Sequence, residues 1–411
     1  MKLARVAIIL VVTAFGGQVV AQGLSRAAAY RRAADLTALG REIFFDPSLS
    51  ASGRLACTSC HNPAFAYGPP NDLPVQLGGP ALNQSGIRAV PSLMYLNAAP
   101  QFAEHYFESD DEGDESIDNG PTGGLTWDGR VDRGRDQARL PLLSPYEMAN
   151  ATSADVATHA AQASYAPRLR VLFGDDVFRD PERAMQALTV ALEAFEEDPA
   201  TFYPYSSKYD AYLAGKAVLS PQEARGLQAF RDPTKGNCSH CHVSERARDG
   251  TPPQFTDYGL VAIGVPRNPA IAANADPSYY DLGLCGPLRT DLRNHSEYCG
   301  RFLTPTLRNV AIRHTFFHNG VAHNLRDAVA FYATRDTDPA RWYPRNTDGS
   351  ASRFDDLPAT YWQNINNEPP FDRHPGNPPA LSEQEIDDIT AFLRTLTDGY
   401  SDLRRRQDPG G

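Results

Sequence analysis

The sequence predicts a mainly α protein with long loops, built as two similar units. Three observations carry that expectation. A short motif occurs twice, at Cys57-Thr-Ser-Cys60-His61 and at Cys238-Ser-His-Cys241-His242. Each copy follows the same run, Gly40-Arg-Glu-Ile-Phe44-Phe-Asp46-Pro47 and Gly226-Leu-Gln-Ala-Phe230-Arg-Asp232-Pro233. Helix signals are frequent while alternating strand patterns are few.

Both short motifs are C-x-x-C-H, the attachment signature of c-type haem. The cysteines add to the haem vinyl groups and the histidine binds iron. Zinc and dithiol chemistry also use C-x-x-C, but a doubled motif ending in His behind an export signal favours two covalently bound haems. A G-x-x-x-F-x-D-P run that ends a helix just ahead of each haem loop is the order of elements in a cytochrome-c-like domain. The expected division is a leader over 1–21, a first cytochrome-c-like domain over 22–200 and a second over 201–411.

In chain order, Met1-Lys2-Leu3-Ala4-Arg5, the apolar run Val6 to Phe15 and Val19-Val20-Ala21 have the three parts of a secretory leader. Cleavage is expected after about Ala21, leaving about 390 residues in the periplasm. No later stretch approaches the ~20 apolar residues of a membrane span. Formal charge is -11, or -13 once Lys2 and Arg5 leave with the leader. An acidic chain without a basic stripe argues against nucleic-acid or anionic-membrane binding.

Glu104 to Gly124 carries eight acidic residues. It reads as a solvated acidic loop, with partner docking or a cation site as the sharper reading, although no Glu closes an EF-hand after Gly113. Glu182 to Glu197 is periodic through Met185, Leu188, Val190, Leu192 and Phe195, and the Pro/Tyr-rich stretch from Asp198 to Tyr205 marks the domain boundary. Ser220-Pro221-Gln222-Glu223 and Ser382-Glu-Gln-Glu385 are capping boxes that open two later helices. Cys285 and Cys299 are expected to pair, given an oxidising compartment, in place of two buried thiols. Tyr343 to Pro379, rich in Pro, Asn and Asp, reads as a surface excursion.

Around the second motif the chain contains Phe302-Leu-Thr-Pro305-Thr-Leu-Arg308-Asn309, Phe316-Phe-His318-Asn-Gly320 and Asp327-Ala-Val-Ala-Phe-Tyr332, with Trp127-Asp-Gly-Arg130 upstream. This combination resembles the bacterial di-haem cytochrome c peroxidase superfamily, and its details resemble the MauG-type branch. The resemblance implies that His61 binds the first iron and His242 the second, with Tyr332 as sixth ligand where classical peroxidases place methionine. A hard phenolate favours oxidised iron, whereas a thioether favours Fe(II). No histidine lies between His61 and His105, so the removable sixth ligand of the first haem is missing and that iron is expected to be open; His105 beside the acidic loop is its remaining candidate.

The same resemblance puts Gln137, Pro141 and Glu147 above the first haem, with Glu147 as acid/base, and places Trp127 between the haems as a relay. Arg130 and Arg308 would meet haem propionates. Relatives hold Ca²⁺ between the haems with an asparagine side chain and two carbonyls. Those positions fall at Ala89, Arg313 and Thr315, so any calcium site here lacks its side-chain oxygen.

Three functions follow as expectations. The first is a peroxide-dependent oxidase, using H₂O₂ or O₂ plus electrons to reach a high-valent di-haem state that oxidises residues, usually Trp, on an exported partner protein. The second is a cytochrome c peroxidase fed by a small cytochrome or cupredoxin. The third is a non-enzymatic di-haem electron carrier.

Overall fold

The computed structural model describes residues 25–105 and 120–400. The expected leader, most of the acidic loop and the final tail lie outside the described residues. Among the described residues, ten α-helices alternate with long loops: α1 (Arg26–Phe44), α2 (Gly134–Leu143), α3 (Ser153–Gln162), α4 (Ala166–Phe173), α5 (Pro181–Glu196), α6 (Pro199–Phe202), α7 (Lys208–Leu213), α8 (Pro221–Arg231), α9 (Leu325–Thr334) and α10 (Glu383–Arg394). Two two-stranded antiparallel ribbons complete the described regular structure, β1 (Leu77–Gly78) with β2 (Gln84–Ser85) and β3 (Leu260–Val261) with β4 (Phe302–Leu303).

The helix starts follow local chemistry. Asp180 accepts from Glu182 N at the head of α5. Ser220 and Ser382 form reciprocal capping boxes with Glu223 and Glu385, satisfying amides that a helix start leaves without partners.

The repeated run explains how each half is assembled. Gly40 lies where α1 crosses α5, and a Cβ there would sit 1.8 Å from Ala191 O. Gly226 lies where α8 crosses α10, and its Cβ would sit 1.9 Å from Asp388 O. Four positions later, Phe44 packs edge-on against Phe195 with centroids 5.4 Å apart, and Phe230 does the same with Phe392 at 5.3 Å. Asp46 and Asp232 then turn the chain by accepting from Ser48 N and Thr234 N. Each run is therefore a helix-crossing device placed just before the haem loop. Gly40→Ala or Gly226→Ala would force a methyl into backbone. The expected cost is about 1–3 kcal/mol or more, read as a lower Tm of the purified holoprotein.

Among the described residues the two largest apolar cores are separate. One is drawn from residues between Leu39 and Phe202, the other from residues between Tyr209 and Leu396. The halves are tied together near the end of the chain. Asp398 accepts from Tyr95 Oη, Ser206 N and Asn309 Nδ2. Cys285 and Cys299 are joined by a disulfide whose Cα atoms are 4.9 Å apart.

The stretch from Tyr343 to Pro379 is not the surface excursion its composition suggests. Tyr343, Leu357, Ile365 and Phe371 are buried, and Phe371 stacks on Tyr332 with centroids 5.4 Å apart. The polar residues set the loop's turns, while the sparse apolar ones wall the second site.

Candidate active site

One continuous cavity of about 620 Å³ runs through both halves and is lined by Cys57, Cys60 and His61 at one end and by Cys238, Cys241 and His242 at the other. At each end a short 3₁₀ turn begins at the first cysteine, and His61 N and His242 N both donate to the first cysteine's carbonyl at 2.8 Å. The two cysteines of each motif are not disulfide-bonded. Before any group is attached, burial raises the thiols of Cys60, Cys238 and Cys241 to about 12.

Both histidines are oriented alike. His61 Nδ1 donates to Tyr67 O at 3.0 Å, and His242 Nδ1 donates to Phe255 O at 2.9 Å. A carbonyl can only accept, so Nδ1 carries the proton and Nε2 keeps the lone pair a metal needs. Burial lowers the His61 pKa to about 4 and lowers that of His242, keeping both rings neutral. These residues fit two c-type haems.

Around the first motif, Gln137, Pro141 and Glu147 all face the cavity. Gln137 and Pro141 lie on α2, with Pro141 inside the helix. Glu147 is positioned through its backbone: its carbonyl accepts from Gly79 N at 2.8 Å. Gly78 lies so close that a Cβ would come within 2.7 Å of Glu147 O. Glu147 keeps accessible surface and lines the cavity, where apolar walls enclose its carboxyl. That enclosure raises its pKa above the usual carboxylate range, against the pull of Ser144 and Arg130. His105, on the edge of the acidic loop, is not among the lining residues.

Trp127 is buried and lines the cavity. Its Nε1–H donates to Ala89 O at 2.7 Å, and its ring meets His318 edge-on at 6.4 Å between centroids. His318 stacks flat on Phe302 at 3.5 Å, and burial lowers its pKa to about 3. The sequence motif contains His318, but nothing in one sequence signals this sandwich.

Arg130 and Arg308 both line the cavity, and each already has a carboxylate partner. Arg130 pairs with Asp128 at 2.9 Å, and buried Arg308 grips Asp210 through two bonds of 3.0 Å. Burial works to raise the Asp128 pKa, but Arg88 and Arg130 outweigh it and hold it below the ordinary value.

At the second motif, Tyr332 on α9 faces the cavity. Burial, with Cys241 and Cys238 beside it, pushes its phenol pKa up while Arg335 works the other way. The chain's methionines are Met1, Met94, Met148 and Met185, so none follows Met185. The second unit therefore has no thioether of its own to offer.

Glu196, near Cys57, also borders the cavity, and burial followed by Glu193 and Glu197 raises it to about 8. A carboxyl that ionises at 4.5 when unfolded and near 8 when folded makes the unfolded state bind fewer protons across that window. Stability should then fall as pH rises from 4.5 to 8. Glu196→Gln is expected to flatten that part of the Tm–pH curve.

Fold and cavity together define a two-haem c-type cytochrome with unlike surroundings at its two irons. Residues 34–218 match the family model described as di-haem cytochrome c peroxidase. The methylamine utilization protein MauG of Paracoccus denitrificans is 32% identical over 381 residues, covering 91% of this chain and 90% of its own. The cytochrome c551 peroxidase of Pseudomonas aeruginosa is 30% identical, with 71% of this chain and 70% of its own covered. The crystal structure of the diheme peroxidase BthA from Burkholderia thailandensis superposes with a TM-score of 0.78 at 42% identity, covering 89% of this chain and 86% of that one. The chain belongs to the di-haem cytochrome c peroxidase superfamily, in its MauG-type branch, and is an oxidoreductase that acts on peroxide.

Proposed function

We propose that this enzyme spends the two oxidising equivalents of H₂O₂ on a residue, usually tryptophan, of an exported partner protein. The observation that carries the reading is Tyr332 on the wall of the second site, in a unit without methionine. An electron inlet is served by sulfur, whereas a phenolate suits a centre that holds oxidising equivalents. The leader and the Cys285–Cys299 disulfide support a periplasmic setting. Among the described residues no helix is long and apolar enough to cross a membrane.

When bound, the haem on His61 supplies the iron at which the O–O bond is cleaved, and the haem on His242 supplies a second centre that gives up an electron. His61 is held by Tyr67 O and keeps Nε2 for that iron. Glu147 takes a proton from the near oxygen of peroxide and returns it to the departing one, a step its raised pKa suits. Gln137 orients peroxide or water, and Pro141, which has no N–H, narrows the pocket. Trp127 stands between the ends and relays charge. Arg130 and Arg308 balance acidic groups along the lining, haem propionates included. The balance is H₂O₂ plus two protons and two electrons giving two waters, with the electrons drawn from the partner residue.

The second reading is peroxide scavenging with a small cytochrome or cupredoxin as donor, and the likeness to cytochrome c551 peroxidase favours it. Steady-state turnover with reduced cytochrome c separates the two. Slow turnover, with an oxidised form that persists after peroxide is added without reductant, supports oxidation of a protein. Rapid turnover with no persistent form supports scavenging.

A further inference from the structure

The positions that relatives give to calcium do not fit that ion here. Ca²⁺ takes six to eight oxygen ligands. Ala89 is buried and brings no side-chain oxygen; its carbonyl is engaged by Trp127 Nε1, and its N–H donates to His318 O at 2.7 Å. The next carbonyl, Val90 O, is engaged by Arg313 Nη2 at 3.0 Å. Thr315 is fully buried, and its hydroxyl, without a hydrogen-bond partner, offers a single spare side-chain oxygen, far short of that number.

What stands there is a cation of the chain's own. Arg313 faces the cavity, and burial lowers its pKa to about 10, which leaves it charged at neutral pH. No carboxylate pairs with it among the described residues. Its guanidinium donates to one segment of the first half and lies beside another. One is 89–90, where Ala89 O anchors Trp127. The other is the loop ending at Gly68, where a Cβ would lie 3.7 Å from Arg313 Nη1. Gly68 follows Tyr67, whose carbonyl orients His61.

We propose that Arg313 replaces the inter-haem metal ion: its guanidinium, in place of calcium, joins the two halves and positions both the Trp127 anchor and the loop behind His61. A fixed cation beside a neutral imidazole also disfavours electron loss from the first haem. The proposal rests on His61 and Trp127 serving the two haem sites, but not on which substrate is oxidised.

The test starts with the wild-type holoenzyme. Elemental analysis after dialysis should find no stoichiometric calcium, and EGTA should leave the ferric EPR spectrum and peroxide turnover unchanged. Arg313→Gln should shift the high-spin signal and lower the first haem's midpoint potential, with no recovery on adding Ca²⁺. Arg313→Lys should retain most of the potential. The double variant A89N/R313T, which restores an oxygen donor and removes the cation, should take up one calcium per chain. One tightly held calcium in the wild type, whose removal alters the EPR spectrum, would overturn the proposal, as would an Arg313→Gln protein with unchanged spectrum and potential. Tightly held calcium in the wild type overturns the proposal even if no variant folds.

Discussion

Replacing Tyr332 with methionine is expected to turn the second haem from a site that stores oxidising equivalents into an electron inlet. The side chain lies on the cavity wall between Phe317 and Phe371, with ring centroids 6.2 and 5.4 Å away, so an unbranched thioether fits the space without a new polar group. Axial ligands set haem potentials over about 0.8 V, and exchanging phenolate for thioether should raise the midpoint potential by on the order of a few hundred mV. Two readouts follow. The oxidised form produced by peroxide in the absence of reductant should become short-lived, and steady-state turnover with reduced cytochrome c should rise. An unchanged potential with unchanged persistence would mean that Tyr332 is not the ligand that matters.

Glu147→Gln is expected to lower peroxide-dependent turnover by about 10²–10⁴-fold, the usual scale for losing a positioned acid/base. Glutamine keeps the shape and fills the same wall between α2 and the β1–β2 ribbon, so both haems should still attach and the resting absorption spectrum should barely change. The pH profile adds a signed test. Enclosure raises the Glu147 pKa, so the carboxylate needed to accept the peroxide proton becomes available only above the ordinary carboxylate range. Wild-type kcat/KM should therefore increase with pH through that raised pKa, and the Gln variant should lose the rising limb. A profile that keeps the limb in the variant would assign the proton to another group.

Much of this architecture was legible in the chain because the haem motifs and the runs ahead of them are local patterns. Glycine at the helix crossing and phenylalanine four residues on are fixed by the packing of α1 on α5 and of α8 on α10, so the same letters recur twice. The capping boxes at Ser220 and Ser382 were equally readable, since they depend on four consecutive residues. The absence of methionine after Met185 was there to be counted as well.

Other features depend on residues far apart in sequence and left no such mark. Arg313 meets Val90 across 223 positions, and Trp127 meets Ala89 across 38. The Tyr343–Pro379 stretch reads as polar loop because its turn formers outnumber Tyr343, Leu357 and Phe371, yet those three face inward. His318 sits in a visible motif, but its stacking on Phe302 needs both the β3–β4 ribbon and the loop before α9. A carbonyl partner for each proximal histidine is likewise invisible, because any residue type can supply it.

The central claim is that the two irons are coordinated differently, one open beside Glu147 and one closed by an oxygen from Tyr332. An EPR spectrum of the purified ferric holoprotein tests it most directly. The account predicts a high-spin signal from the haem on His61, and a second signal from the haem on His242 that changes in Tyr332→Met while the first stays in place. Two low-spin signals and no high-spin iron, unaffected by that substitution, would contradict it.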